Sequence, residues 1–280
     1  MQAEQNMQAE QKLREGDVNA SLALLQEQVK AKPADAKLRI FLFQLLVIQG
    51  AWGRALNQLK VIGELDAGAL AMVQTYREAL RCEAYRGDVF AGKRSPHLFG
   101  KPEDWMALCV EALSHFAADR PDRGSGLTAR AYEQAPETPG TLNGEPFTWI
   151  ADADSRIGPF IEAIVNGTYY WVPFCRIREI TIEEPEDLRD MVWAPAQFTW
   201  TNGGQMVGLI PTRYAGSENS EDSLVQLARK TEWIDQGSEQ FYGLGQRVLA
   251  TDAKDYALLE TRKIIFDTRE SDPVDFSEEG

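Results

Sequence analysis

Along the first 135 residues the hydrophobic positions recur at three- and four-residue steps, the period of helices with one buried face. Leu22, Leu25 and Val29 form one stripe, Phe41, Leu45 and Ile48 a second, and Trp52, Ala55, Leu56 and Leu59 a third. The stretch 36–49 is apolar nearly all round, as expected of a helix held between neighbours. Pro102, followed by Glu103 and Asp104, opens a further helix carrying Trp105, Leu108, Cys109, Ala112, Leu113 and Phe116. His115 falls off that stripe and His97 sits in the loop "KRSPHLFG", so both read as rim or loop residues.

Gly16 and Gly50 stand 34 residues apart, each where one helix would turn into the next. Pro33 and Ala67 each follow 17 residues later. This spacing resembles tetratricopeptide repeats over about two units, with a degenerate third near 69–87. Such an array exposes a groove by geometry alone. Lys37, Phe41, Gln44 and Ile48 step along one helix face, and Gln74, Arg77 and Arg81 along the next. A mixed apolar and basic groove suits an amphipathic helix, although Phe41 and Ile48 fit the packed interior equally well.

After Pro136–Pro146, "PETPGTLNGEP", which reads as a linker or a strongly turned crossing, the period changes. "YYWVPFCRI", "REITIEE" and "QFTWTNGGQMVGLIP" are rich in aromatic and β-branched residues, and Asn202-Gly203 predicts a hairpin whose two turn positions accept positive φ. "KTEWI", "QRVLATD" and "LLETRKIIF" read as later strands, and the acidic end, 269–280, as a frayed tail. The expected class is α+β: a helical repeat-like domain at 7–135 and a mainly antiparallel β domain with a short helix at 140–268.

Asp152 and Asp154, in "ADADSRIGPF", are the most chemical-looking residues of the chain. An Asp-x-Asp pair can bridge Mg²⁺ to a phosphate with Arg156 clamping an anion, which would make a hydrolase or phosphotransfer enzyme. The other reading is architectural. "IGPFIEAIVNG" looks like a short helix with Pro159 in its first turn and Asn166-Gly167 at its stop, so Asp152, Asp154 and Ser155 would tie off free N–H groups at its start. "GLGQR", 243–247, is a fragment of a phosphate-loop pattern and reads as a turn. Arg213 and "LARKTEW" supply cations that could reach the aspartates from elsewhere in the domain.

Charge and composition narrow the field. A formal charge of −14 opposes nucleic-acid and anionic-lipid partners. Three scattered cysteines and two histidines leave almost nothing for a zinc cage or a Ser-His-Asp triad, and no cofactor is implied. The start lacks an apolar signal segment, and the longest apolar run, "LRIFLFQLLVI", is 11 residues against the ~20 a membrane span needs. A cytoplasmic location is the expectation.

"LRIFLFQLLVIQGAWGRALNQL", "PGTLNGEPFTWIADADSRIGPFIEAIVNGTYYWVPFCRI", "DLRDMVWAPAQFTWTNGGQMVGLIPTRY", "ARKTEW" and "GLGQRVLATD" resemble, in that order, the SciE/ImpE family, also called TagJ. The likeness runs from about residue 13 to 266 and is most distinctive from Pro139 to Tyr214. It implies a non-catalytic accessory protein of bacterial type VI secretion whose partner is the small subunit of the contractile sheath, bound through that subunit's N-terminal helix. It assigns no residues to the contact. A strand half that reads an extended peptide at an open sheet edge is a further possibility.

Overall fold

The structure, a computed structural model, describes residues 2–267 of the chain. The acidic end at 269–280 lies outside the described residues. Helices come first: α1 (Gln2–Arg14), α2 (Val18–Ala31), α3 (Ala36–Ile48), α4 (Trp52–Leu65), α5 (Leu70–Phe90), α6 (Asp104–Ala117) and α7 (Pro121–Gln134). Gly16 (φ 85°) and Gly50 (φ 64°) make the turns between α1 and α2 and between α3 and α4. In each, the next amide reaches back five residues, Asp17 N to Lys12 O and Ala51 N to Leu46 O, the Schellman closure that needs a left-handed residue at the stop. Asp17 and Asp35 then cap α2 and α3 by accepting from Ala20 N and Leu38 N. α3 is held between its neighbours, with Leu38 and every residue from Leu42 to Ile48 buried. The repeat does not continue into a third hairpin, because 70–90 is one unbroken helix.

The strands are β1 (His97–Leu98), β2 (Gly140–Leu142), β3 (Glu145–Phe147), β4 (Ile150–Asp152), β5 (Phe160–Val165), β6 (Thr168–Pro173), β7 (Ile177–Ile182), β8 (Trp193–Trp200), β9 (Gln205–Pro211), β10 (Thr231–Asp235), β11 (Phe241–Gly245), β12 (Val248–Thr251), β13 (Asp255–Ala257) and β14 (Lys263–Phe266), with one short helix, α8 (Ser223–Gln226). Nine form one sheet in the order β1-β6-β5-β9-β8-β7-β14-β2-β3, antiparallel except for the β1–β6 pair. The fold class is α+β.

Three local expectations change here. "IGPFIEAIVNG" is not a helix: residues 160–165 are strand β5, all six of them buried. Asn166 (φ 49°) and Gly167 (φ 72°) form its two-residue hairpin turn into β6, with Val165 opposite Thr168. A short apolar run buried on both faces has no period to distinguish strand from helix, and the aromatic partner strand decides the outcome. Of the two readings of the Pro136–Pro146 stretch the linker fails and the turned crossing holds, since Asn143 (φ 50°) and Gly144 (φ 87°) turn β2 into β3 within the large sheet. At Asn202-Gly203 the hairpin is present, but only Gly203 takes a positive φ (84°).

Alternation along β5 divides two cores. Phe160 and Ile164 face the helices and join one cluster with Trp171, Trp193, Leu209 and Tyr214. Ile161, Ala163 and Val165 face the opposite side with Val172, Phe174 and Ile180. Glu162 lies on the helix-facing side and is fully buried.

Candidate functional site

Two places merit a functional test: the buried charges where helices meet sheet, and an open groove beside α3.

The charges come from both halves. Arg247, fully buried just ahead of β12, donates from Nη1 to Asp152 and from Nη2 to Glu162, and its Nε donates to Pro211 O at 2.9 Å. Arg86 of α5 grips the other side of Glu162, Nε to Oε1 at 2.7 Å and Nη2 to Oε2 at 2.9 Å, and also reaches Arg213 O at 2.8 Å. Tyr169 donates its hydroxyl to Glu162 and accepts from Trp171 Nε1 at 2.8 Å. Glu83 accepts from Trp193 Nε1 at 2.9 Å. Burial would raise Glu162, yet Arg86 and Arg247 hold it down at about 2. Asp152 is pushed up to about 6 by burial, which the Arg247 guanidinium opposes.

Asp152 and Asp154 therefore do not start a helix. Asp152 ends β4, and its Oδ1 accepts from Asp154 N at 2.9 Å. Asp154 Oδ1 takes Arg156 N and Nε at 2.9 Å each, and Oδ2 takes Arg156 Nη2 and Gly243 N. Ser155 bonds β11 both ways, through Ser155 N to Phe241 O and Phe241 N to Ser155 Oγ. The acids tie a loop to two strands instead of a helix, because the apolar run they precede is a strand. Their oxygens are spent on guanidinium and amide donors, whereas a hard cation requires several oxygens presented together with free lone pairs. Among the described residues no group of three or more potential metal ligands comes together.

Arg213 does not pair with the aspartates either. It is buried and donates to Ile48 O at 2.8 Å, to Val47 O and to Gln226 O, closing the C-terminal carbonyls of α3 and α8. Burial lowers it to about 10. Arg229 does the same more loosely for α1, through Leu13 O and Arg14 O. Sequence reading missed Arg86, Glu162 and Arg247. The available signal was a lone acid inside the apolar run "FIEAIV", which has to find a cation once buried.

The groove holds ≈740 Å³. Glu10, Leu13 and Arg14 of α1 form one wall, Lys37, Leu38, Phe41 and Gln44 of α3 the floor, and Pro185 to Leu188 with Met191 the far wall, beside Arg229. Three of the residues expected along this face of α3 thus line an open surface. Ile48 does not, being fully buried where α3 runs under Arg213. Gln74, Arg77 and Arg81 are exposed on α5 away from the groove, because Val73, Tyr76, Ala79 and Leu80 turn that helix's apolar stripe inward. The far wall is held in place by Arg189, which lies 5.0 Å over the Tyr76 ring, and by the Asp187–Asp190 capping box.

Fold and surface together define a helical-hairpin scaffold fused to an antiparallel sheet, with a groove walled by both. The chain belongs to the ImpE family. Residues 144–265 match the family described as ImpE protein. The type VI secretion system accessory component TagJ of Pseudomonas aeruginosa PAO1 is 48% identical over 261 residues, covering 93% of this chain and 92% of that protein. The crystal structure of protein VPA1032 from Vibrio parahaemolyticus superposes with a TM-score of 0.85 at 26% identity, over 94% of this chain and 98% of the other. Among the described residues no helix is long and apolar enough to cross a membrane.

Proposed function

We propose that this protein is an accessory component of a type VI secretion system, acting in the cytoplasm as a non-catalytic adaptor that lays the N-terminal helix of the small contractile-sheath subunit into the groove beside α3. The single observation that carries the reading is the groove itself. Its lining joins apolar Leu13, Leu38, Phe41, Leu188 and Met191 to the cations Lys37, Arg14 and Arg229 and the acids Glu10, Glu186 and Asp187. An amphipathic helix asks for that combination: pockets for its apolar stripe and charged margins that set its direction.

The test is capture of the purified sheath small subunit, with and without its first helix, by full-length protein. Removing the helix should abolish capture. Phe41→Glu should weaken it by about tenfold or more, with an unchanged circular dichroism spectrum, while Arg77→Glu on the exposed face of α5 should leave it intact. Equal capture of both sheath forms would overturn the terminal-helix mechanism. A loss with Arg77→Glu and none with Phe41→Glu would move the contact out of the groove.

A further inference from the structure

β10 and β11 form a two-stranded hairpin separate from the large sheet, and its two long edges are finished differently. Gln246 N donates to Lys230 O at 3.0 Å and Gln236 N to Gln240 O at 2.9 Å, so the even-numbered residues of β10 face β11. Thr231, Trp233 and Asp235 consequently turn their N–H and C=O groups outward.

On β11 the outward amides are all engaged. Phe241 N donates to Ser155 Oγ at 3.0 Å, Gly243 N to Asp154 Oδ2 at 2.9 Å and Gly245 N to Ser217 Oγ at 2.8 Å. On β10, among the described residues, no strand adjoins the outward edge and no partner bonds the backbone N–H or C=O of its three outward residues, Asp235 accepting from Gly237 N only through its carboxylate at 2.8 Å. Trp233, Ile234 and Phe241 beside it are 42%, 42% and 45% exposed. Sheets normally cover such an edge because it is a template for another strand.

We propose that this edge pairs with the same edge of a second copy of the chain, antiparallel about a two-fold axis through Trp233. The register argues for a copy of itself. Only the arrangement placing Trp233 opposite Trp233 joins all three outward residues, Thr231 then meeting Asp235 on either side, each pair exchanging both backbone bonds. In that register Glu232 stands opposite Ile234, so no two like charges face each other directly. Lys230 already neutralises Glu232 within the same chain, Nζ to Oε1 at 2.6 Å, while also reaching Asp222 at 3.1 Å. The two exposed indoles meet at the axis.

The test is the mass of the full-length chain by sedimentation and light scattering across a dilution series. Twice the 31.4 kDa chain mass is expected at the concentrated end, with dissociation on dilution. Trp233→Cys should oxidise to a covalent dimer, since directly opposed residues in a hydrogen-bonded pair sit about 5.5 Å apart at Cα, within disulfide reach. Val207→Cys, on the 77% exposed position of β9, should not. Trp233→Pro removes the outward N–H at the axis and should leave a folded monomer. A wild-type monomer at every concentration overturns the proposal, as does a dimer that survives Trp233→Pro. Capture of an extended segment of another protein by a monomeric chain at this edge would also overturn it, and would assign the edge to a foreign strand.

Discussion

At the scale of single residues, Arg247 carries the most. It is the cation shared by Asp152 and Glu162, and all three side chains are fully buried. Arg247→Ala leaves two carboxylates facing each other without water, and removal of one partner from such a set costs roughly 3–5 kcal/mol. Urea denaturation of the variant is expected to show a loss of that size, and a loss under about 1 kcal/mol would mean the network relaxes into solvent. The acids also make a pH signature. Asp152 stands at about 6 in the folded chain against 3.8 as its reference value, so the native state holds an extra proton between those values and is stabilised as pH falls through them. That gap corresponds to ~3 kcal/mol. Glu162, at about 2 against 4.5, acts in reverse: its contribution is present above 4.5 and is lost as pH falls toward 2. The urea midpoint should therefore rise from pH 7 to pH 5 and drop below about 4.5, and Asp152→Asn should flatten the first limb. A midpoint that falls steadily from pH 7 downward contradicts the raised Asp152.

At the scale of elements, the join between helices and sheet is made by arginines closing helix ends. Among the described residues Ile48 O, the last carbonyl of α3, has no backbone donor, and Arg213, two residues past β9, satisfies it at 2.8 Å, adds a second donor to Val47 O beside Gly50 N, and favours the negative end of the helix dipole. Arg213→Met keeps much of the packing and removes the donors. A cost of ~3 kcal/mol is expected, read as a lower thermal midpoint, with the amides at 45–48 exchanging hydrogen faster than those of α6. Unchanged exchange there would show that the C-terminus of α3 is held by its packing alone. Because α3 is also the groove floor, the same variant should weaken helix capture without touching a lining side chain.

At the scale of the whole molecule, the change of secondary structure between Gln134 and Gly140 is not a division of the core. Trp171, Trp193 and Tyr214 of the strand half share one cluster with Leu45, Tyr76 and Val89 of the helices, and Arg86–Glu162 crosses the same plane. Expressed alone, residues 136–280 would expose that face together with a Glu162 stripped of Arg86. They are expected to aggregate, and to recover solubility when co-expressed with residues 1–135. Two halves that each unfold cooperatively on their own would show the contrary.

The sequence by itself determined the helices of 1–135, the glycine turns at Gly16 and Gly50, the sandwiched character of α3 and the strand-rich second half. Each of these rests on a local period or on a backbone angle that few residues accept. Lys37, Phe41 and Gln44 were legible as one face for the same reason. Tertiary structure alone decided that 160–165 is a strand, that the aspartates bind arginines and not a helix start, that Ile48 is covered while Arg77 is bare, and that β10 keeps an open edge. A buried run carries no periodic signal, and a charge declares its partner only when folding removes the water between residues 76 and 95 positions apart, as in Arg86–Glu162 and Asp152–Arg247.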